Sequence, residues 1–196
     1  MPRAAPGKQA PQRSIDPRDY QAVPRPVAAM PKQFEDGDAI PPHRHRRAQL
    51  IYAAQGVMRV TTERGSFVVP PQRALWVPAG VEHALRMQGS VAMRTLYIEP
   101  QAGRGMPRDC VVIEMSDLLR ALVLAAMDEP VLYDRRSRAG QIMRLILTEL
   151  RRAPRLAFSI PMPRDPRLLR LCASLLRDPR NDATFERWAE QIGASA

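Results

Sequence analysis

Between Met30 and Glu99 apolar and polar positions alternate in short runs, and the runs are of strand length. Segments 49–54, 57–62, 65–69, 73–77 and 91–98 are bounded by Gly, Pro or charged turns such as Glu63-Arg64-Gly65 and Pro78-Ala79-Gly80. Short strands at this even spacing predict an antiparallel sandwich or barrel. After Pro100 the period changes to that of helices. Segment 116–127 opens on Ser116 with Asp117 in its first turn and stops before Pro130, a capped helix by its chemistry. Segment 137–152 repeats the pattern, with Ile142, Leu145, Ile146 and Leu150 assigned to one face. Two amphipathic helices beside a β domain close its core, pair with a second copy, or do both.

The two ends read differently. Residues 1–26 carry six of the twenty prolines among basic residues, so a solvated, flexible tail is expected. Residues 154–166 hold four prolines in thirteen positions, the composition of a stiff linker. Beyond it, 167–177 has a helical stripe of Leu168, Leu171, Cys172, Leu175 and Leu176, and 184–192 forms another helix. The domains expected are thus a tail (1–26), a β domain (27–100), packing or dimerisation helices (101–153), a linker (154–166) and a helical segment (167–196).

Composition narrows the function classes. Thirty Lys and Arg against twenty Asp and Glu give a net charge of +10, which suits a polyanion partner without naming one. No apolar run reaches the ~18–20 residues of a membrane span, so no membrane partner is expected. Cys110 and Cys172 stand apart with no metal-type spacing, which favours a reducing, cytoplasmic setting.

The chemistry concentrates in three histidines. His43 and His45 are two apart, hence on one face of an extended segment, and Gln49 lies two strand periods further on that face. Imidazoles with an oxygen donor make a usual first-row metal set. The run His43-Arg44-His45, three residues, Gln49, six residues, Gly56 resembles the first motif of the cupin family. Pro78-Ala79-Gly80-Val81-Glu82-His83 resembles its second. The resemblance implies a jelly roll with His43, His45, Gln49 and His83 at its pocket. Two positions depart from the pattern: Gln49 stands where the family has a carboxylate, and Met87 where it often has Asn. A pocket without cofactor is therefore expected, with a divalent metal at the histidines as the alternative. Tyr52 and Trp76 are candidates for the pocket wall.

The last segment adds a second signal. Ala189, three residues, then Gly193 is the spacing of a helix-turn-helix, in which a small residue admits the second helix and Gly supplies a positive φ. Trp188 and Ile192 sit at core spacing beside it. This stretch resembles the opening of the AraC-type DNA-binding domain, and a cupin-like domain before it fits the same family of transcription regulators. The fold implied is α+β overall: a mainly β, cupin-like jelly roll, then α-helices, then an incomplete all-α helix-turn-helix domain. The function implied is regulation by a small effector, in a homodimer acting on DNA. Arg167, Arg170, Arg180 and Arg187 are candidate phosphate contacts, which position a protein without reading sequence. The sequence stops at Ala196, inside the turn before the family's recognition helix, so the expectation is a truncated regulator with weak or no specific DNA binding. A small metal-dependent cupin enzyme, of dioxygenase or isomerase type, is the alternative, and no catalytic residue is assigned.

Overall fold

The computed structural model describes residues 13–156, 160–161, 165–177 and 182–193. Alternation becomes an antiparallel sheet of nine strands. These are β1 (Val27–Phe34), β2 (Ala39–His43), β3 (Ala48–Thr62), β4 (Gly65–Val69), β5 (Arg73–Val77), β6 (His83–Ile98), β7 (Val111–Glu114), β8 (Arg155–Leu156) and β9 (Ile160–Pro161). The main path runs β1-β6-β3-β5-β7-β8, with β2 on β6, and with β4 joining β3 to β9.

Two long strands, β3 and β6, form the spine. Their register runs from Ala48↔Ile98 to Thr62↔His83, with shifts between Ala53, Gln55 and Val57. The expected pair of strands at 49–54 and 57–62 is therefore one strand that bends. Gly56 makes the bend: its φ is +76°, and a Cβ there would lie 2.4 Å from the Ser90 carbonyl oxygen. Only glycine meets both demands without strain.

Strand alternation sorts side chains between two cores. Gln49, Ile51, Ala53, Leu75, Val77, Leu85, Met87, Met93 and Tyr97 are buried toward the inside of the rolled sheet, and apart from Gln49 they belong to one packed apolar cluster. Leu50, Tyr52, Trp76, Leu96 and Ile98 face the other way, onto a helix layer. That layer is α1 (Asp117–Ala126) and α2 (Arg138–Arg152). The Ser116 hydroxyl accepts from the Leu119 N–H at 3.1 Å and Ser137 accepts from Gly140, so both predicted caps form. Leu119, Leu122 and Val123 of α1 and Ile142, Met143, Ile146 and Leu150 of α2 are buried on the sheet. Leu145 is not: it is 48% exposed, one residue off the buried stripe.

Three expected boundaries change. Residues 13–26 are not a solvated tail. They carry a single 3-10 turn, Pro17–Tyr20, whose Tyr20 is 2% exposed and packs 5.7 Å from the Tyr97 ring. Arg47 holds this segment down from inside the barrel, donating to the carbonyl oxygens of Gln21, Val23 and Arg25. Arg13 donates to Ala29 and Ala126, tying the segment to the helix layer. Proline content set the expectation, and one buried tyrosine and two arginines outweighed it. Likewise the β domain does not end at 100, because β7 pairs with β5. Nor is 154–166 wholly a linker, since β8 pairs with β7 and β9 with β4. Pro161 is tolerated because it sits on an edge strand.

At the C-terminal end are α3 (Pro166–Arg177) and α4 (Phe185–Ile192). Thr184 caps α4, and the chain leaves it through Gly193 at φ +64°. Among the described residues no helix is long and apolar enough to cross a membrane.

Candidate functional site

β2 ends at His43, which pairs in register with His83 at the start of β6. His45 follows in the turn into β3, where the Gly80 N–H donates to its backbone carbonyl at 2.8 Å. The three rings therefore meet at one mouth of the barrel, with centroids 4.8, 4.4 and 5.5 Å apart. His45 and His83 are buried, at 8% and 2% exposure, and His43 is half-buried. Tyr97 closes the floor, its ring 5.1 Å from that of His45.

Hydrogen bonding constrains the rings. His43 Nδ1 lies 2.8 Å from the Pro41 carbonyl, so Nδ1 carries the proton and Nε2 presents a lone pair. His83 Nδ1 is 3.0 Å from the Val81 carbonyl, and its Nε2 is 2.9 Å from Gln49 Oε1. A neutral ring has one N–H and satisfies only one of these oxygens. The carboxamide is held in this orientation from its other end, because Thr95 gives its one hydroxyl proton to the Leu50 carbonyl and can only accept from Gln49. Gln49 also donates to Thr95, which donates to the Leu50 carbonyl, both at 2.9 Å. His45 Nε2 is buried and has no hydrogen-bond partner.

Burial, then the neighbouring His43 and His83 rings, push the His45 pKa down to about 4. His83 is also pushed down to about 4, by burial first. Both rings are thus neutral near pH 7, the form that binds metals or polar ligands.

The donor atoms of the three histidines lie within 4.8 Å of one another. Three imidazole nitrogens on one ion at ~2.0–2.1 Å stand at most ~4 Å apart. Side-chain rotation of under an ångström closes that difference. The orphaned His45 Nε2, and the His43 Nε2 left free by the Nδ1 bond to Pro41, could take a divalent ion, and the neutral Gln49 carboxamide would make that site weaker than one with a carboxylate.

The histidines open into a cavity of about 400 Å³, lined by Met30, Leu85, Met93 and Tyr97 inside and by Lys32, Arg44 and Arg46 at the rim. Pro17, Arg18 and Gln21, from the segment expected to be a tail, form one side of the mouth. A larger surface cleft of about 590 Å³ adjoins it, around Arg64, Arg108 and Cys110. It holds three arginines and three acids, with Arg44 paired to Glu82 and Arg64 to Asp109.

The structure brings together four of the expected pocket residues: His43, His45, Gln49 and His83. It separates two others. Tyr52 and Trp76 are 1% and 2% exposed in the core between sheet and helices, where Trp76 Nε1 donates to Pro107. The reason is parity. Tyr52 is three residues from Gln49 and so on the opposite face, and Trp76 pairs with Leu50 rather than with Gln49. Missed in the sequence were Lys32, Leu85, Met93 and Tyr97. The odd-numbered run from His83 through Leu85 to Tyr97 was the available signal for three of them.

Gly193 has the left-handed backbone that the helix-turn-helix spacing asks for, and Ala189 accepts its N–H. Trp188 and Ile192 are half-buried, and the Trp188 ring lies 5.6 Å from that of Phe185. Arg170 and Arg187 are exposed, and Arg167 pairs with Asp165 at 3.0 Å. Arg180 lies outside the described residues.

The chain is similar to known proteins in sequence and in fold. The HTH-type transcriptional regulator NimR of Escherichia coli K12 is 29% identical over 149 residues, 76% of this chain and 54% of that protein. The chain thus spans about half the length of that relative. Among solved structures, an apo variant of ToxT from Vibrio cholerae superposes with a TM-score of 0.51 at 5% identity, over 87% of this chain and 72% of that one. A cupin superfamily protein from Desulfitobacterium hafniense covers 37% of this chain and 67% of its own, with 23% identity and a TM-score of 0.36. The family model of the AraC-like ligand binding domain matches residues 33–186. With that match over most of its length and a jelly roll around three converging histidines, the chain belongs to the AraC-like ligand-binding domain family.

Proposed function

We propose that this chain is the effector-sensing part of an AraC-type transcription regulator, taking a small molecule into the barrel above His43, His45 and His83. The observation that carries the reading is the cavity itself. At about 400 Å³ it falls within the ~300–1,000 Å³ of small-ligand sites, and its walls are apolar with a few converging polar groups. The NimR relative is named an HTH-type transcriptional regulator, which supports a regulator here; action on DNA and a cytoplasmic setting are part of the same proposal. Residues 165–193 supply helices of the type a helix-turn-helix begins with, and Arg170 and Arg187 are cations suited to phosphate. Leu118 and Leu145, 52% and 48% exposed on α1 and α2, are the surface through which two copies would pair.

An enzyme reading has less support. Glu82 adjoins His83 in sequence, yet its carboxylate turns to Arg44 at 3.1 Å, and among the described residues no carboxylate lines the cavity at the histidines. Thermal unfolding in the presence of a small-molecule panel tests the sensor reading. The expected result is a stabilising compound whose effect disappears in Ile40→Trp, which fills the mouth. Stabilisation unchanged in that variant would place the binding elsewhere.

A second reading is favoured by one specific observation, the partnerless His45 Nε2. His43, His45 and His83 would hold a divalent ion, which would supply a Lewis-acid contact for an oxygen of the effector. Metal analysis of wild type against His43→Ala and His45→Ala decides it: equal trace content in all three removes the metal.

A further inference from the structure

Four cations, Arg18, Lys32, Arg44 and Arg46, line the cavity above the histidines, and among the described residues no carboxylate lines it. Two of them are already matched. Arg18 pairs with Asp16, and Arg44 pairs with Glu82. The other two make no ion pair with a described residue. Arg46 is exposed. Lys32 rests its ammonium 5.0 Å over the Phe34 ring and lies in the field of Asp16, whose carboxylate is bonded by Arg18. Lys32 is also half-buried, so its charge acts in a poorer dielectric than at open surface. The adjoining cleft makes the contrast: there three arginines face three acids, and no sign is selected.

Below the rim the chemistry reverses. Met30, Leu85, Met93 and Tyr97 are each at most 3% exposed and offer an apolar sleeve. At its bottom the His45 Nε2 waits for a partner. A hydroxyl on the ligand, which both donates and accepts, would satisfy either tautomer of that ring.

Resting on the sensor reading above, we propose that the effector is a small organic carboxylate with an apolar body, its carboxylate held at the mouth by Lys32 and Arg46 and its body between Met30, Leu85 and Met93. A cation would meet Lys32 and Arg46, which no ion pair to a described residue neutralises. A neutral molecule would cover the half-buried Lys32 ammonium without offering it a counterion, which costs affinity.

Three probes of one shape test this: 3-phenylpropanoate, 3-phenylpropanamide and 3-phenylpropylammonium, titrated calorimetrically into the whole chain at low salt. The carboxylate is expected to bind at least ~10-fold tighter than the amide, and the ammonium not at all, a tenfold ratio being ~1.4 kcal/mol. Lys32→Gln with Arg46→Gln is expected to erase the preference, bringing carboxylate binding down to the level of the amide. Both positions lie at the rim, so folding of that variant is checked by its thermal transition. Amide or ammonium binding as tight as the carboxylate, but blocked by Ile40→Trp, overturns the anion proposal and keeps the sensor reading. No binding by any probe, or binding that survives Ile40→Trp, overturns both.

Discussion

The Nε2 of His83 lies 2.9 Å from Oε1 of Gln49, at the point where the cupin resemblance places a carboxylate. That one exchange of oxygen-bearing groups sets the electrostatics of the site. Gln49→Glu would put a negative charge, 3% exposed, against the neutral His45 and His83 rings. An opposite charge at this range raises a histidine pKa by ~1–3 units. The His83 pKa should move from about 4 to well above 5, read by NMR titration of its ring protons, and zinc or nickel affinity should rise at least ~10-fold. An unmoved His83 titration would mean that the new carboxylate does not face the ring.

Stability should fall with acid through these same rings. Histidines at about 4 in the folded chain and ~6.5 in the unfolded one bind fewer protons when folded, so stability rises with pH across that interval. Their contribution is complete above ~6.5, is lost as pH falls toward 4, and changes little below. With solvent screening allowed for, the pair should cost ~2–4 kcal/mol between pH 7 and pH 4.5. Urea unfolding of chelator-treated protein measures it. A double His45→Gln, His83→Gln variant should show a flatter profile over that interval.

Arg47, 5% exposed, is the anchor of the segment before β1. Its truncation leaves the carbonyls of Gln21, Val23 and Arg25 without their donor, which predicts a loss of ~3–5 kcal/mol for Arg47→Ala. Arg47→Lys should recover little of it, because an ammonium cannot span three carbonyls in the plane of a guanidinium. Hydrogen exchange should speed up in residues 18–25 in both variants. Faster exchange confined to the helix layer would contradict the role.

Gly140 lies in the first turn of α2, where helix propensity alone gives Gly→Ala a gain of ~1 kcal/mol. A Cβ there would stand 2.2 Å from the Arg135 carbonyl oxygen. Packing should win, with Gly140→Ala destabilising by ~1–3 kcal/mol in thermal or urea unfolding.

Pairing of two copies through α1 and α2 is tested by charge. Leu118→Asp with Leu145→Asp should shift sedimentation from dimer to monomer and leave the thermal transition within ~1 kcal/mol, since both side chains are about half exposed. A wild type that sediments as a monomer at every concentration would remove this interface.

Periodicity in the sequence determined the elements. The alternation after Met30 and the Ser caps at 116 and 137 are local signals, written by side-chain direction and by unpaired backbone N–H groups, and both appear where expected. Motif spacing likewise placed His43, His45, Gln49 and His83 at one site, because two fixed β-strand offsets bring them to the same barrel mouth. Tertiary structure alone decided what surrounds them. Tyr52 and Trp76 left the pocket because register, not proximity in sequence, selects the face of a strand. Residues 13–26 became a wall of the site because Arg47 and Tyr97, dozens of positions away, give that proline-rich stretch something to bond and pack against. The cluster of cations at the mouth was equally hidden. A charge is unpaired only with respect to its neighbours in space, and sequence holds no record of those.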